Sequence, residues 1–363
     1  MRLGVEAAIV DGELLPGDVE VADGRVVAVG LAPGAGGGIA APGFVDLQVN
    51  GFGGIDLASA DADGYRRAGE ALLETGVTSY QPTLITAPEE ELVASLREVP
   101  TNDGGPRILG VHLEGPFLSP ARMGAHPPEA RRDPDRKLLE RLLDAGPVTY
   151  VTLAPELPGA LELVPVLQER GIVVSCGHTD ATAAEAGAAF DLGVRTVTHL
   201  FNAMRPLGHR EPGIAGAALV RDDVVVQVIL DGHHLATETA RLVWRAAAGR
   251  TALVTDAIAA AGTDERHSRL SGVEVEIRDG VARRPDGVLA GSVLTMIEAL
   301  RNLHALGVPL VDAVAAATAV PARAARRPEL GVLRPGGEAD LVVLDDRLEL
   351  TLVLRAGRER LAA

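Results

Sequence analysis

Residues 172–204, IVVSCGHTDATAAEAGAAFDLGVRTVTHLFNAM, hold two short β-branched runs, 172–175 and 194–198, each stopping just before a histidine. An alanine-rich helical segment lies between them, so His178 and His199 occupy the same place in two successive strand–helix units. In a parallel sheet or barrel the carboxyl ends of the strands share one rim, where two such side chains can converge on one point. A histidine after a single strand is more often a loop or core group than a ligand. Its repetition in consecutive units points to a metal ion.

The same alternation extends in both directions. Strand-like runs fall at residues 43–50, 77–82, 108–113, 148–153, 172–175, 194–198, 224–230 and 251–255, with helical patterns between most of them. Within 63–76, for example, Tyr65, Ala68, Leu72 and Leu73 share one face at helical spacing. Eight strands with intervening helices predict a (β/α)8 TIM-like barrel with its active site at the carboxyl ends. Beyond Asp256 the pattern breaks for a hairpin over 270–289, then resumes as helices over 293–306 and 310–319.

The flanks read differently. Residues 3–10, 19–22 and 25–29 are short strands, the last following an Asp23-Gly24 turn, and are expected to pair antiparallel. The glycine-rich piece 33–38 reads as a linker. Residues 339–344 and 350–355 are strands again, so both termini are expected to build one small β-sandwich domain, 1–41 with 335–363, beside a barrel of 42–334.

Composition sets limits. A chain of 363 residues that is 47% hydrophobic can bury a full core. No apolar run is long enough to cross a bilayer and the N-terminus has no secretory pattern, so a soluble cytoplasmic protein is expected; the single Cys176 excludes an intrachain disulfide. A net charge of −16 disfavours nucleic acid and anionic membrane as partners. A small anionic substrate would need a local arginine cluster, because Lys137 is the only lysine.

The strand ends carry the chemistry. Strand three runs into His112-Leu113-Glu114-Gly115-Pro116, strand seven into Asp231 and His233-His234, and strand eight into Asp256. Glu114 with His178 and His199 makes a divalent-metal set that leaves positions open for water. Strand one offers Gln48 and Asn50 on one face, where two histidines could have held a second ion; amides bind zinc or iron poorly and are expected to meet water or substrate. A bridging carboxylated lysine is also unavailable, since Lys137 lies off any strand end. One metal per chain follows. Asp256 beside it can take a proton from water and pass it to a leaving group, a divalent ion bringing the pKa of water to roughly 7.

At this point the motifs APGFVDLQVNGFGG, HLEGPFLSPARMGAHPPE, GHTDAT, THLFNAM, GHREPGIAGAAL, DGHHL, LVTDAIAAAG and GSVLTMIEALRNL carry a resemblance over nearly the whole chain. It resembles the N-acetylglucosamine-6-phosphate deacetylase family of the amidohydrolase superfamily. The resemblance implies that Glu114, His178 and His199 hold the metal, that Asp256 is the general acid/base and that His126 polarises the acetyl carbonyl. It further implies a phosphate site from backbone groups of Asn202 and Ala203 with Arg210 and His234, in a homodimer where Arg210 reaches across the interface. Zinc is the first expectation for the ion, with iron, cobalt and manganese compatible with the donors. Gln48 and Asn50 match the branch of the family without the two strand-one histidines. Ala121-Arg122-Met123 stands where relatives often carry lysines. The competing readings are another amidohydrolase, acting on N-acetylgalactosamine 6-phosphate, an N-acyl amino acid or a cyclic amide, and a non-catalytic scaffold on the same fold. Cys176, though near His178, is expected to be a buried apolar group.

Overall fold

The structure is a computed structural model that describes residues 1–32, 34, 36–101 and 105–360. Pro33 and Ala35 of the expected linker lie outside the described residues. Eight barrel strands run through the central sheet, β1 (Phe44–Val49), β2 (Val77–Ile85), β3 (Val111–Glu114), β4 (Val148–Leu153), β5 (Val173–Cys176), β6 (Thr196–Val197), β7 (Val225–Val228) and β8 (Thr251–Leu253), and a ninth short piece, Arg107–Ile108, pairs with β2 just ahead of β3. Each barrel strand pairs parallel with the next. The barrel closes between β8 and β1, where the amides of Asn50 and Gly51 donate to the Ala257 carbonyl at 2.8 and 3.1 Å. β1 and β2 are buried along their whole length, as strands covered on both faces must be.

Helices return the chain on the outside: α1 (Ala62–Glu74), α2 (Glu89–Glu98), α3 (Arg136–Ala145), α4 (Ala160–Glu169), α5 (Ala183–Asp191), α6 (Gly213–Leu219), α7 (Thr237–Ala247) and α8 (Met296–Ala305). Their starts are written in the sequence. Asp61 caps α1 through the Gly64 amide, while Thr182 with Glu185 and Thr295 with Glu298 form capping boxes that open α5 and α8. Tyr65, Ala68, Leu72 and Leu73 of α1 are buried, as their spacing predicts.

The barrel interior beneath the rim is polar. His112 bridges Thr83, at 3.2 Å, and Thr152, at 2.7 Å, and Thr198 accepts or donates to both Thr152 and Ser175 at 2.8 and 2.7 Å. These fully buried groups satisfy one another, so the strand ends above them rest on a hydrogen-bonded layer rather than on apolar packing alone.

The terminal segments do meet. One six-stranded sheet runs in the order Glu13–Pro16, Ala7–Val10, Ile39–Pro42, Leu341–Leu344, Leu350–Arg355, Arg358–Arg360. A ribbon of Asp18–Ala22 and Arg25–Leu31 faces it across a second core of Val19, Val21, Val26, Ala40, Leu341 and Leu354. The expected antiparallel pairing is present: Asp18–Ala22 pairs with Arg25–Leu31, and Ala7–Val10 pairs with Glu13–Pro16 on one edge while its other edge pairs parallel with Ile39–Pro42. Glu13–Pro16 has no counterpart in the sequence reading, because its four residues are all exposed and so lack the alternation that marks a half-buried strand.

The hairpin expected over 270–289 is a three-stranded sheet, His267–Leu270, Val273–Arg278 and Val281–Arg283. Its two turns are Ser271-Gly272 and Asp279-Gly280, all four residues at positive φ, which suits the tight reversal of twisted strands. Leu270, Val275 and Ala282 seat this sheet against Ile85, Ala125 and Ile258 on the barrel rim. The last expected helix is two, α9 (Leu310–Ala317) and α10 (Ala319–Ala324), divided at Thr318, with Pro321 tolerated in the first turn of the second. Among the described residues no helix is long and apolar enough to cross a membrane.

Candidate active site

Nine of the residues singled out above line one cavity of about 220 Å³ at the carboxyl rim: Asn50, Glu114, His126, His178, His199, Asn202, Ala203, His234 and Asp256. Gln48 lies just behind them, fully buried. Arg210 is exposed and does not line the cavity of a single chain.

Three of these are brought there by an unusual backbone. His178, His199 and Asp256 have φ of 48°, 28° and 50°, left-handed values that cost on the order of 1–3 kcal/mol each in non-glycine residues. Flanking hydrogen bonds hold the turns in place: Thr198 donates to the Cys176 carbonyl at 3.0 Å, Leu200 to Gln227 at 2.7 Å, and Ser292 to Asp256 at 2.8 Å. Each turn folds its side chain back over the rim.

Glu114 Oε1 is the meeting point. His199 Nε2 lies 2.8 Å from it and His178 Nε2 3.2 Å, while the two imidazole nitrogens are 3.1 Å apart. One donor atom from each of the three residues falls within 4.8 Å of the others, a set that could hold one metal ion. Burial alone would raise the Glu114 carboxyl, but contact with His126, His178 and His199 outweighs it and holds the group well below the ordinary carboxylate range.

Protons on the imidazoles can be placed from the second nitrogen of each ring. His178 Nδ1 faces the Arg122 carbonyl at 2.9 Å and must donate to it, which leaves Nε2 a lone pair toward the centre. His126 is the opposite case. Its Nδ1 accepts from the Thr86 amide at 3.3 Å, so a neutral ring carries its proton on Nε2, 3.5 Å from Glu114 Oε2. Burial pushes the His126 pKa down to about 4, so the ring is neutral at physiological pH. One histidine therefore offers a ligand atom and its neighbour a hydrogen-bond donor. His199 Nδ1 is buried without a partner among the described residues.

Across the cavity the arrangement inverts. Asn50 Nδ2 donates to Asp256 Oδ1 at 2.7 Å, and Gln48 Nε2 donates both to Asp256 Oδ1 at 3.0 Å and to Glu114 Oε1 at 3.1 Å. The amides were expected to meet water or substrate; their nitrogens serve the protein's own carboxylates, and Gln48 Oε1 and Asn50 Oδ1 are without a partner among the described residues. Flipping either would set a carbonyl oxygen against a carboxylate, so the orientation is fixed. Burial and the Glu114 charge push Asp256 up to about 6, where a carboxyl can both take and return a proton near neutrality.

The turn after His199 is closed by its own backbone. The Asn202 amide donates to the His199 carbonyl at 2.9 Å, so it is not the free anion donor expected from the sequence; the Ala203 amide makes no hydrogen bond among the described residues. His234 Nδ1 meets Asp231 Oδ2 at 2.7 Å, leaving Nε2 for the cavity. Burial would raise Asp231, but its bonds with His234 carry it down to about 2.

Several contributors escape a reading of the sequence. Thr86, which sets the His126 tautomer, directly follows β2 and could have been found by the strand-end rule. Leu270, Val288, Leu289 and Gly291 roof the cavity from the three-stranded sheet and the turn after it, and give no local signal. His112 is structural, and Cys176 is fully buried in the main core, its thiol pushed up by burial.

A parallel barrel with two imidazoles, a carboxylate and a partly buried aspartate at one rim is the architecture of a metal-dependent hydrolase, and the chain belongs to the amidohydrolase family, whose family model matches residues 39–360. Within it the similarities are specific. An N-acetylgalactosamine-6-phosphate deacetylase of Escherichia coli O157:H7 is 36% identical over 87% of this chain and 86% of its own length. The human N-acetylglucosamine-6-phosphate deacetylase is 39% identical over 89% and 83%. A Mycobacterium smegmatis N-acetyl-D-glucosamine-6-phosphate deacetylase variant, solved in complex with N-acetyl-D-glucosamine 6-phosphate, is 39% identical and superposes with a TM-score of 0.94 over 99% of this chain and 98% of that one.

Proposed function

We propose that this enzyme hydrolyses N-acetyl-D-glucosamine 6-phosphate to D-glucosamine 6-phosphate and acetate, in the cytoplasm, with one divalent ion per chain, zinc first. The observation that carries this is the opposed polarity of the cavity: Nε2 of His178 and of His199 converge with Glu114 Oε1 on one side, within reach of a single ion, and a proton-exchanging Asp256 stands on the other.

Glu114, His178 and His199 hold the ion. When bound, a divalent cation supplies a Lewis acid that makes water acidic near neutral pH and draws charge from a carbonyl. Asp256, ionised above about 6, accepts the proton of the attacking water and returns it to the departing nitrogen as the C–N bond breaks. The His126 Nε2–H donates to the carbonyl oxygen as negative charge develops there, a role that needs the neutral ring with its proton on that nitrogen. Asn50 and Gln48 keep Asp256 in place.

The phosphate is held by the Ala203 amide, the Asn202 side chain, His234 Nε2 and Arg210, the last supplied by the partner chain of a homodimer. The exposure of Arg210 outside the single-chain cavity favours that arrangement. Residues 1–41 with 335–363 form the small β domain beside the barrel of 42–334, one face of its sheet packing into the barrel core through Ile9, Val342 and Leu344.

Acetate release from glucosamine and galactosamine N-acetyl derivatives, each with and without the 6-phosphate, tests the reading alongside metal content. Arg210→Ala is expected to raise KM for the phosphorylated sugar at least tenfold, a loss of about 1.4 kcal/mol or more from a charge-assisted contact. Unchanged kcat/KM would remove Arg210 from the phosphate site. A second reading, the galactosamine epimer, is favoured by the similarity to the Escherichia coli enzyme; the ratio of kcat/KM for the two epimers decides between them.

A further inference from the structure

The cavity is bordered by three separate loops, and one carboxylate joins them. Asp180, two residues after His178, accepts from Arg122 Nε on Oδ1 at 2.8 Å, with Arg122 Nη2 in ion-pair contact at 2.7 Å, and from Arg205 Nη2 on Oδ2 at 2.7 Å. Arg205 Nε also donates to the Asp180 carbonyl at 2.6 Å. Arg122 lies on the loop that carries His126, and Arg205 follows the Asn202-Ala203 turn. Behind them Glu156 accepts from the Asp180 amide at 2.7 Å and from Thr179 Oγ1 at 2.5 Å, so the central segment cannot drift.

The consequence reaches the imidazole. The Arg122 carbonyl is the group to which His178 Nδ1–H donates. A loop held only by backbone contacts, such as Ser119 to the His178 carbonyl at 2.9 Å, would leave that carbonyl free to rotate away. The Arg122–Asp180 ion pair is about two-thirds buried and carries a hydrogen bond from Nε, so it belongs among the pairs that fix geometry rather than the exposed pairs worth little. Gly124 completes the approach. Its φ is 56°, and a Cβ at this position would lie 3.2 Å from His178 Cε1, so any side chain there would crowd the imidazole.

The geometry points to Asp180 as a positioning residue that couples the His178 tautomer to the Asn202-Ala203 turn. Through Arg122 it holds the carbonyl that keeps the His178 Nε2 lone pair directed at the centre. Through Arg205 it holds the neighbouring turn against the same segment. This assignment rests on His178 being a metal ligand, while its loop-coupling half stands on the hydrogen bonds alone.

The test compares the full-length wild-type protein with Asp180→Asn and Arg122→Ala, and with Arg122→Lys in case either folds poorly. Zinc affinity is measured by competition with a chromogenic chelator, and backbone hydrogen–deuterium exchange is followed over 119–126 and 199–205. Asp180→Asn is expected to weaken zinc about 10- to 100-fold, the usual cost of losing a group that orients a metal-bound imidazole, and to accelerate exchange several-fold in both loops at an unchanged melting temperature. Arg122→Ala should weaken zinc similarly but loosen only 119–126, with Arg122→Lys intermediate. Exchange and zinc affinity both at wild-type values in Asp180→Asn would overturn the proposal. A wild-type protein that binds no zinc would instead sink the metal-ligand reading, and the exchange of the two loops would still decide whether Asp180 couples them.

Discussion

The two sides of the cavity are built from the same parts and do opposite things. At the ends of β5 and β6, His178 and His199 present nitrogens to Glu114; at the end of β1, Asn50 and Gln48 present nitrogens to Asp256. On the first side Nε2 of His178 carries a lone pair, because its hydrogen has gone to the Arg122 carbonyl. On the second side every nitrogen is an N–H donor. Lone pairs converging on a point select a cation, whereas converging donors select an anion, and the protein supplies that anion itself as Asp256. On the one-ion reading proposed above, metal stoichiometry is set by which way the hydrogens point, not by the number of polar side chains at the rim.

The largest effect that can break this comparison comes from His199→Ala. It is expected to lose both bound metal and activity, measured by elemental analysis and acetate release. Asp256→Asn should keep its metal while kcat falls about 10²- to 10⁴-fold, the range of a lost general acid/base. If the metal were lost from Asp256→Asn as well, the two sides would not be independent. Next, the double variant Gln48→His with Asn50→His replaces donors by potential lone pairs and is expected to raise metal content from one toward two equivalents per chain. An unchanged value would show that packing, not donor polarity, closes that side, and two ions in the wild type would end the distinction altogether.

The smallest effect lies beneath Asp256. Asp46 on β1 is fully buried, accepts from Thr255 Oγ1 at 2.6 Å, and is pushed by burial from 3.8 up to about 7. Between those values the unfolded chain is ionised while the folded chain keeps the proton. Raising the pH therefore favours unfolding across that window, and the dependence from this group ends above about 7. Asp46→Asn should flatten the fall in denaturation midpoint between about pH 5 and pH 7.5. An equal fall in both proteins would show that Asp46 does not titrate there.

Much of this is legible in the sequence because period and position carry it. The eight strands alternate with amphipathic segments such as α1, and every candidate metal ligand stands at a strand end, where topology alone brings residues distant in sequence together. The turn residues are readable too, yet Ser271-Gly272 and Asp279-Gly280 pass for one hairpin because two closely spaced reversals resemble a single long one. Orientation is not legible. Whether Gln48 turns its amide to a carboxylate, whether Asn202 spends its N–H on His199, and which nitrogen of His126 keeps a proton all depend on partners such as Thr86 and Arg122, which the chain supplies from elsewhere. The exposed strand Glu13–Pro16 escapes for a different reason: with every residue exposed, burial leaves no periodic mark on it.

The position of Ile39–Pro42, between Ala7–Val10 on one edge and Leu341–Leu344 on the other, orders events during synthesis. This strand leads within two residues into β1, so it is made before any of the barrel, yet one of its hydrogen-bonding edges has no partner until residues near Leu341 emerge from the ribosome. Glu114, His178, His199 and Asp256 are all translated inside that interval. A nascent chain can therefore have every candidate metal ligand in hand while its terminal sheet still exposes an open edge, and its exposure to aggregation lasts until the final strands are added.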